Sequence, residues 1–174
     1  AEVVGDMDRM RDLDLAATAL WIDRPYATGV NTFDFDPMTY SDPDAMIEHA
    51  HQLGYRMALW HVPYLDENDP STASLRAQAD AIGVYPSEHG IVLNKWGVPI
   101  DFTNPAAKIF WQENIARYTS HGIEGFKLDY GEDVVPGLTA ERTPWVFADG
   151  SDERTMHGRY QLGYHGAYAE MLPP

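Results

Sequence analysis

Apolar and polar positions along the chain follow one grammar twice over. In SDPDAMIEHAHQLGYRMALWHV, Asp42 is placed to cap a helix, Pro43 fits its first turn, and Gly54 stops it before an apolar strand, Met57 to Trp60. In TNPAAKIFWQENIARYTSHGIEGFKLD, Asn104, Pro105 and Gly122 take the same parts ahead of a strand from Ile123 to Leu128. A third copy opens the chain, with a helix over Val3 to Leu13 and a buried strand over Leu15 to Ile22. A last helix is expected over about Glu153 to Met171, weakened by Gly158, Gly163 and Gly166.

Helices alternating with strands that are apolar almost throughout predict an α/β fold built on a parallel sheet. Each strand ends on a polar side chain: LWID on Asp23, ALWH on His61 and KLD on Asp129. Ligand sites of parallel α/β folds gather at the carboxyl ends of the strands, so three such endings form a site-like pattern. Between the second strand and Pro99 lies a connection long enough to be a functional loop over the pocket.

Composition narrows the function classes. A hydrophobic content of 44% in 174 residues suffices for the core of one domain. A net charge of −15 opposes binding to nucleic acid or to anionic membranes and leaves a neutral or cationic ligand as the better fit. No apolar run of about 18 residues and no signal-peptide pattern is present, so the compartment stays open with the cytoplasm favoured. With no cysteine there is no disulfide framework or zinc–thiolate site. His49 and His51, two apart on a helix, and His157 and His165, eight apart, lack metal-motif spacing, so surface or core histidines are expected and no metal site. Phosphate-cradling glycine loops and the G-x-S-x-G elbow are missing as well.

Strand alternation puts Lys127 and Asp129 on one face, where the lysine can hold the carboxylate ionised; a plain salt bridge or a cap for the following loop is the alternative. Trp21, Tyr26, Trp60, Tyr64, Trp96, Phe126, Tyr130 and Trp145 cluster near the strand ends. Aromatic platforms beside carboxylates and a lysine suit sugar rings, although at least half of these residues are expected in the core.

These residues resemble a known family. GFKLDYGED is similar to the nucleophile motif of glycoside hydrolase family 31, the retaining α-glycosidases that include α-glucosidases and α-xylosidases. LWIDRPYATGVNTFDFDP, ALWHVPYL, PIDFTNPAAKIFWQE and FADGSDERTMHGRY resemble further family segments in the expected order. The resemblance implies a parallel (β/α)₈ barrel, of which residues 1–174 supply about strands 2–4 with their helices, and a strand-3 loop insertion at about 63–100.

It implies Asp129 as catalytic nucleophile, Asp23, Trp60 and Lys127 as residues that bind the α-glycoside, and no metal or organic cofactor, with Asp101 and Asn104 as scaffold and Glu132 organising the loop; Arg24 follows Asp23 at a position where family members differ with their sugar, and is expected beside the substrate. His157 is followed by Gly158 where the family pattern has asparagine. The acid/base aspartate would come from a later strand, and both ends of the chain look cut, so the segment is expected to be inactive without the remainder of the barrel. Leu20, Trp21, Leu59, Trp60 and Phe126 are expected to face the barrel interior. A transglycosylase or lyase of the same family is one alternative, and a non-catalytic carbohydrate-binding or scaffold protein is another.

Overall fold

The computed structural model describes residues 2–132, 134 and 144–172. Its elements run α1 (Glu2–Asp12), β1 (Ala19–Ile22), α2 (Pro43–Gln52), β2 (Arg56–His61), α3 (Ala73–Ile82), α4 (Pro105–Thr119), β3 (Gly125–Leu128) and α5 (Glu153–Ala169). The strands form one parallel sheet in the order β1-β2-β3, with Trp21 beside Ala58, Leu59 beside Phe126 and Trp60 beside Lys127. No helix among the described residues is long and apolar enough to cross a membrane.

The helix starts follow from their caps. Asp42 accepts the Ala45 N–H at 3.0 Å ahead of Pro43, and Asn104 accepts the Ala106 N–H at 2.9 Å ahead of Pro105. The chain leaves both helices through glycines at positive φ, Gly54 at 77° and Gly122 at 95°. Helix α5 holds together through its three glycines because Asp152 caps it and Tyr160, Tyr164 and Tyr168 bury one side of it. A Cβ on Gly163 would stand 3.3 Å from the Phe102 side chain, so the missing side chain allows α5 to lie close to the core.

Two strands are shorter than the apolar runs that announce them, and in both cases the backbone groups are already engaged. The Arg11 guanidinium takes the carbonyls of Leu15 and Ala17, which keeps that stretch out of the ladder until Ala19. The Ile123 N–H bonds back to Tyr118 O at the end of α4, and the ladder begins with Glu124 N–H on Met57 O.

The two faces of the sheet differ from the expected assignment. Strand alternation places Ile22, Met57, Leu59 and His61 against the helices, all of them buried, and Phe126 meets Tyr168 of α5 with ring centroids 5.0 Å apart. Leu20, Leu59 and Phe126 therefore face outward to the helix layer and not into a barrel. The opposite face carries Trp21, Ala58, Trp60, Gly125 and Lys127. Trp21 is 60% exposed there. Between β2 and α4 a short 3₁₀ turn (Pro70–Thr72) and α3 fold the long connection into a packed layer, pinned where Ile100 N–H meets Pro63 O.

Candidate active site

At the carboxyl end of the sheet, β1 and β3 deliver two carboxylates to one ammonium. Lys127 Nζ lies 3.0 Å from Asp23 Oδ2 and 3.7 Å from Asp129 Oδ2. The alternation that puts Lys127 beside Trp60 also brings the Trp60 indole to Asp129, where Nε1–H donates to Oδ2 at 2.9 Å. The other oxygen, Oδ1, accepts the Tyr130 N–H at 3.1 Å, and the Asp129 N–H itself is held by His61 O at 2.9 Å. Asp129 is thereby fixed from three directions while remaining half-buried.

Charge in the cluster follows the same contacts. Partial burial raises the Asp23 carboxyl, but the hydrogen bond from Lys127, the Arg24 N–H, the lysine charge and the Trp21 indole together outweigh it and leave it below the usual aspartate range. Lys127 is raised in return, first by its hydrogen bond to Asp23, against a smaller cost of desolvation. The lysine therefore leans on Asp23 more closely than on Asp129, the partner that strand alternation alone singles out.

Behind the carboxylates the walls are aromatic and rigid. Trp96, from the long connection, stands with its ring centroid 6.1 Å from that of Trp60 and 4.7 Å edge-on to Tyr130, and stacks on Tyr64 at 5.7 Å. Tyr130 holds a φ of 56°, a conformation that non-glycine residues rarely adopt, and its carbonyl accepts the Tyr64 hydroxyl at 3.2 Å. Arg24, at a cis bond to Pro25, spreads its guanidinium 5.3 Å from the Trp60 ring and 5.7 Å from that of Trp96. An open cavity of about 530 Å³ begins at Arg24 and Trp60 and runs past Tyr26 to Asn31.

The structure thus brings Asp23, Arg24, Trp60, Lys127 and Asp129 together at one end of the sheet. It does not bring His61 there. The third polar strand ending faces the helices, fully buried, where desolvation lowers its pKa to about 3. Of the aromatic cluster, Trp21 and Tyr130 are exposed near the carboxylates, whereas Trp145 is buried against Phe147 with their rings stacked at 5.8 Å. His49 and His51 pair with Asp8 and Glu124, tying α2 to its neighbours. Asp101 is buried and accepts the N–H groups of Thr103 and Ala148, a structural task.

Two supports carry no signal in the sequence. The Tyr26 hydroxyl donates to Trp60 O at 2.9 Å, and the buried Asn31 amide donates to Val62 O and, at 2.7 Å, to Tyr64 O. Both clamp the end of β2 from a loop whose conformation only the folded chain reveals.

Residues 1–173 match the model of the "Glycosyl hydrolases family 31 TIM-barrel domain". The chain belongs to glycosyl hydrolase family 31. Among its family 31 relatives, α-xylosidase XylQ of Lactiplantibacillus pentosus is 27% identical over 147 residues, 81% of this chain and 18% of the relative. The isomaltosyltransferase of Sporosarcina globispora is 32% identical over 143 residues, 75% of this chain and 12% of the relative.

A Flavobacterium johnsoniae family 31 dextranase solved with glucose superposes with a TM-score of 0.82 at 18% identity, over 98% of this chain and 22% of that one. That likeness speaks to the fold: three parallel strands with their helices are part of a family 31 TIM barrel. The chain spans under a quarter of the length of each of these three proteins. In TIM barrels the carboxyl ends of the strands carry the active site, which is the end where Asp23, Trp60, Lys127 and Asp129 meet.

Proposed function

We propose that this segment supplies the nucleophile half of a retaining α-glycosidase of the α-xylosidase or α-glucosidase kind. The observation that carries the reading is the Asp129 carboxylate, held at a strand end by an indole N–H, a main-chain N–H and a neighbouring ammonium. A nucleophilic carboxylate must be ionised and rigidly aimed, and these contacts serve both needs.

In the proposed reaction an Asp129 oxygen attacks the anomeric carbon as the bond to the leaving oxygen breaks, giving a covalent glycosyl ester. The leaving oxygen takes a proton from a general acid, and water then cleaves the ester with net retention. Asp23 is poorly suited to be that acid, because its pKa is depressed and it meets the substrate as a carboxylate. It serves instead as acceptor for sugar hydroxyls, with Lys127 donating beside it, Trp60 as a wall and Arg24 at the mouth.

The acid/base residue is assigned to a part of the barrel beyond these 174 residues, which on this reading are inactive alone. Transfer of the glycosyl group to another sugar, in place of water, is a second reading favoured by the likeness to an isomaltosyltransferase. Proton NMR of the first product formed by the full-length enzyme tests the proposal. Release of the α-anomer supports it, and release of the β-anomer overturns it.

A further inference from the structure

Trp60 and His61 hold Asp129 from two sides, the first through its indole and the second through its main-chain oxygen. The side chain of His61 points the opposite way, into the helix layer, where Nδ1 lies 2.8 Å from Tyr168 Oη of α5. The same hydroxyl oxygen accepts the Trp111 Nε1–H of α4 at 2.9 Å. An indole only donates, so the tyrosine oxygen accepts there, and its hydroxyl proton can be donated to an unprotonated His61 Nδ1. Desolvation of the fully buried ring keeps the imidazole neutral, and in the tautomer that accepts from Tyr168 its proton sits on Nε2.

That Nε2 is buried with no hydrogen-bond partner among the described residues. The imidazole ring sits in a nest of rings, with its centroid 5.4 Å from that of Phe33, edge-on, 5.4 Å from that of Tyr118 and 4.9 Å from that of Phe126. A leucine would fill such a place without stranding a polar group. What the histidine adds is one directed bond that ties the end of β2 to both α4 and α5.

We infer that His61 is a positioning residue: the chain Trp111, Tyr168, His61 fixes the carbonyl that holds the Asp129 main chain and, through the next residue in the strand, the indole that holds its carboxylate. The inference rests on the reading of Asp129 as nucleophile. Tyr26, whose ring packs against those of His61 and Tyr118, anchors the adjacent Trp60 carbonyl. With the His61 bond cut, the carboxylate loses its aim while the contacts of Asp23 and Lys127 remain.

The test is made in the full-length enzyme with His61→Leu, Tyr168→Phe and His61→Asn, the last of which keeps an acceptor near the place of Nδ1. Circular dichroism confirms folding, and an aryl α-glycoside reads kcat and KM separately. His61→Leu and Tyr168→Phe are expected to lower kcat about 10- to 100-fold with KM within about twofold, and His61→Asn to restore most of that loss. Should His61→Leu fail to fold, Tyr168→Phe carries the same test.

Wild-type kcat in a folded His61→Leu or Tyr168→Phe variant overturns the inference. So does a loss shared equally by kcat and 1/KM, or one that asparagine leaves unrepaired. Asp129→Asn in the same series separates the two readings: full activity there removes the nucleophile assignment itself, whatever His61 does.

Discussion

The indole N–H of Trp60 and the carboxylate of Asp129 meet at 2.9 Å across neighbouring parallel strands, from residues 69 positions apart in the chain. Such a bond to a charged acceptor contributes on the order of 1.5 to 3 kcal/mol. Trp60→Phe keeps an aromatic wall and removes the donor. It is expected to lower kcat/KM by about 10- to 100-fold in steady-state assays of the full-length enzyme. An unchanged value would show that the bond is incidental to catalysis.

Against the opposing effect of burial, Lys127, through its hydrogen bond and its charge, is the main contributor holding the Asp23 carboxyl below the usual aspartate range, with the Arg24 N–H and the Trp21 indole beside it. Lys127→Met withdraws both the hydrogen bond and the charge, so the Asp23 carboxyl rises. The acid limb of the kcat/KM profile is expected to shift to higher pH, and the ceiling of the profile to drop as a donor to the sugar is lost. A pH series of wild type and variant decides it, and superimposable acid limbs would contradict the assignment.

Arg24 has two tryptophan faces behind its guanidinium and the cavity in front. Arg24→Ile is expected to change the ratio of kcat/KM between an aryl α-xyloside and an aryl α-glucoside by at least tenfold, on the order of 1.4 kcal/mol. The same loss on both substrates would mean that Arg24 supports the fold and does not read the sugar.

The fully buried His61 makes stability depend on pH. Its pKa falls from an ordinary 6.5 to about 3 in the folded chain, so between those values the unfolded state binds more protons. The stabilisation is complete above the unfolded value and is lost as pH falls through that window, by up to about 1.4 kcal/mol per unit. Urea unfolding at pH 7 and pH 4.5 is expected to cost wild type more stability than His61→Asn. Equal losses would remove His61 as a source of acid sensitivity.

Much of this was legible in the residues and their order. Caps at Asp42 and Asn104, stops at Gly54 and Gly122, and apolar strands between them are local signals, and local signals survive folding. Membership of family 31 follows from motif order, strand alternation pairs Lys127 with Asp129, and the family resemblance adds Asp23 and Trp60 to them.

Which side of the sheet meets the helices was legible too, because neighbours in a strand face opposite ways: Leu20 cannot share the barrel interior with Trp21 nor Leu59 with Trp60, and Lys127 marks the site face of β3 and sends Phe126 to the other. The expectation that all five face the interior fails on that rule. His61, the neighbour of Trp60, belongs with the helix-facing set. Its place at a strand end resembles that of Asp129, but an offset of one in register turns it into the helix layer. The clamps from Tyr26, Asn31 and Tyr168 join segments far apart in sequence, which no local pattern encodes.

The central claim is that Asp129 forms a bond to the sugar. Incubating the full-length enzyme with a 5-fluoro α-glycosyl fluoride, then digesting it and sequencing the modified peptide by mass spectrometry, tests this most directly. The account predicts one glycosyl adduct, on Asp129. An adduct on Asp23 or Glu132, or turnover of the reagent with no adduct at any residue, would contradict it.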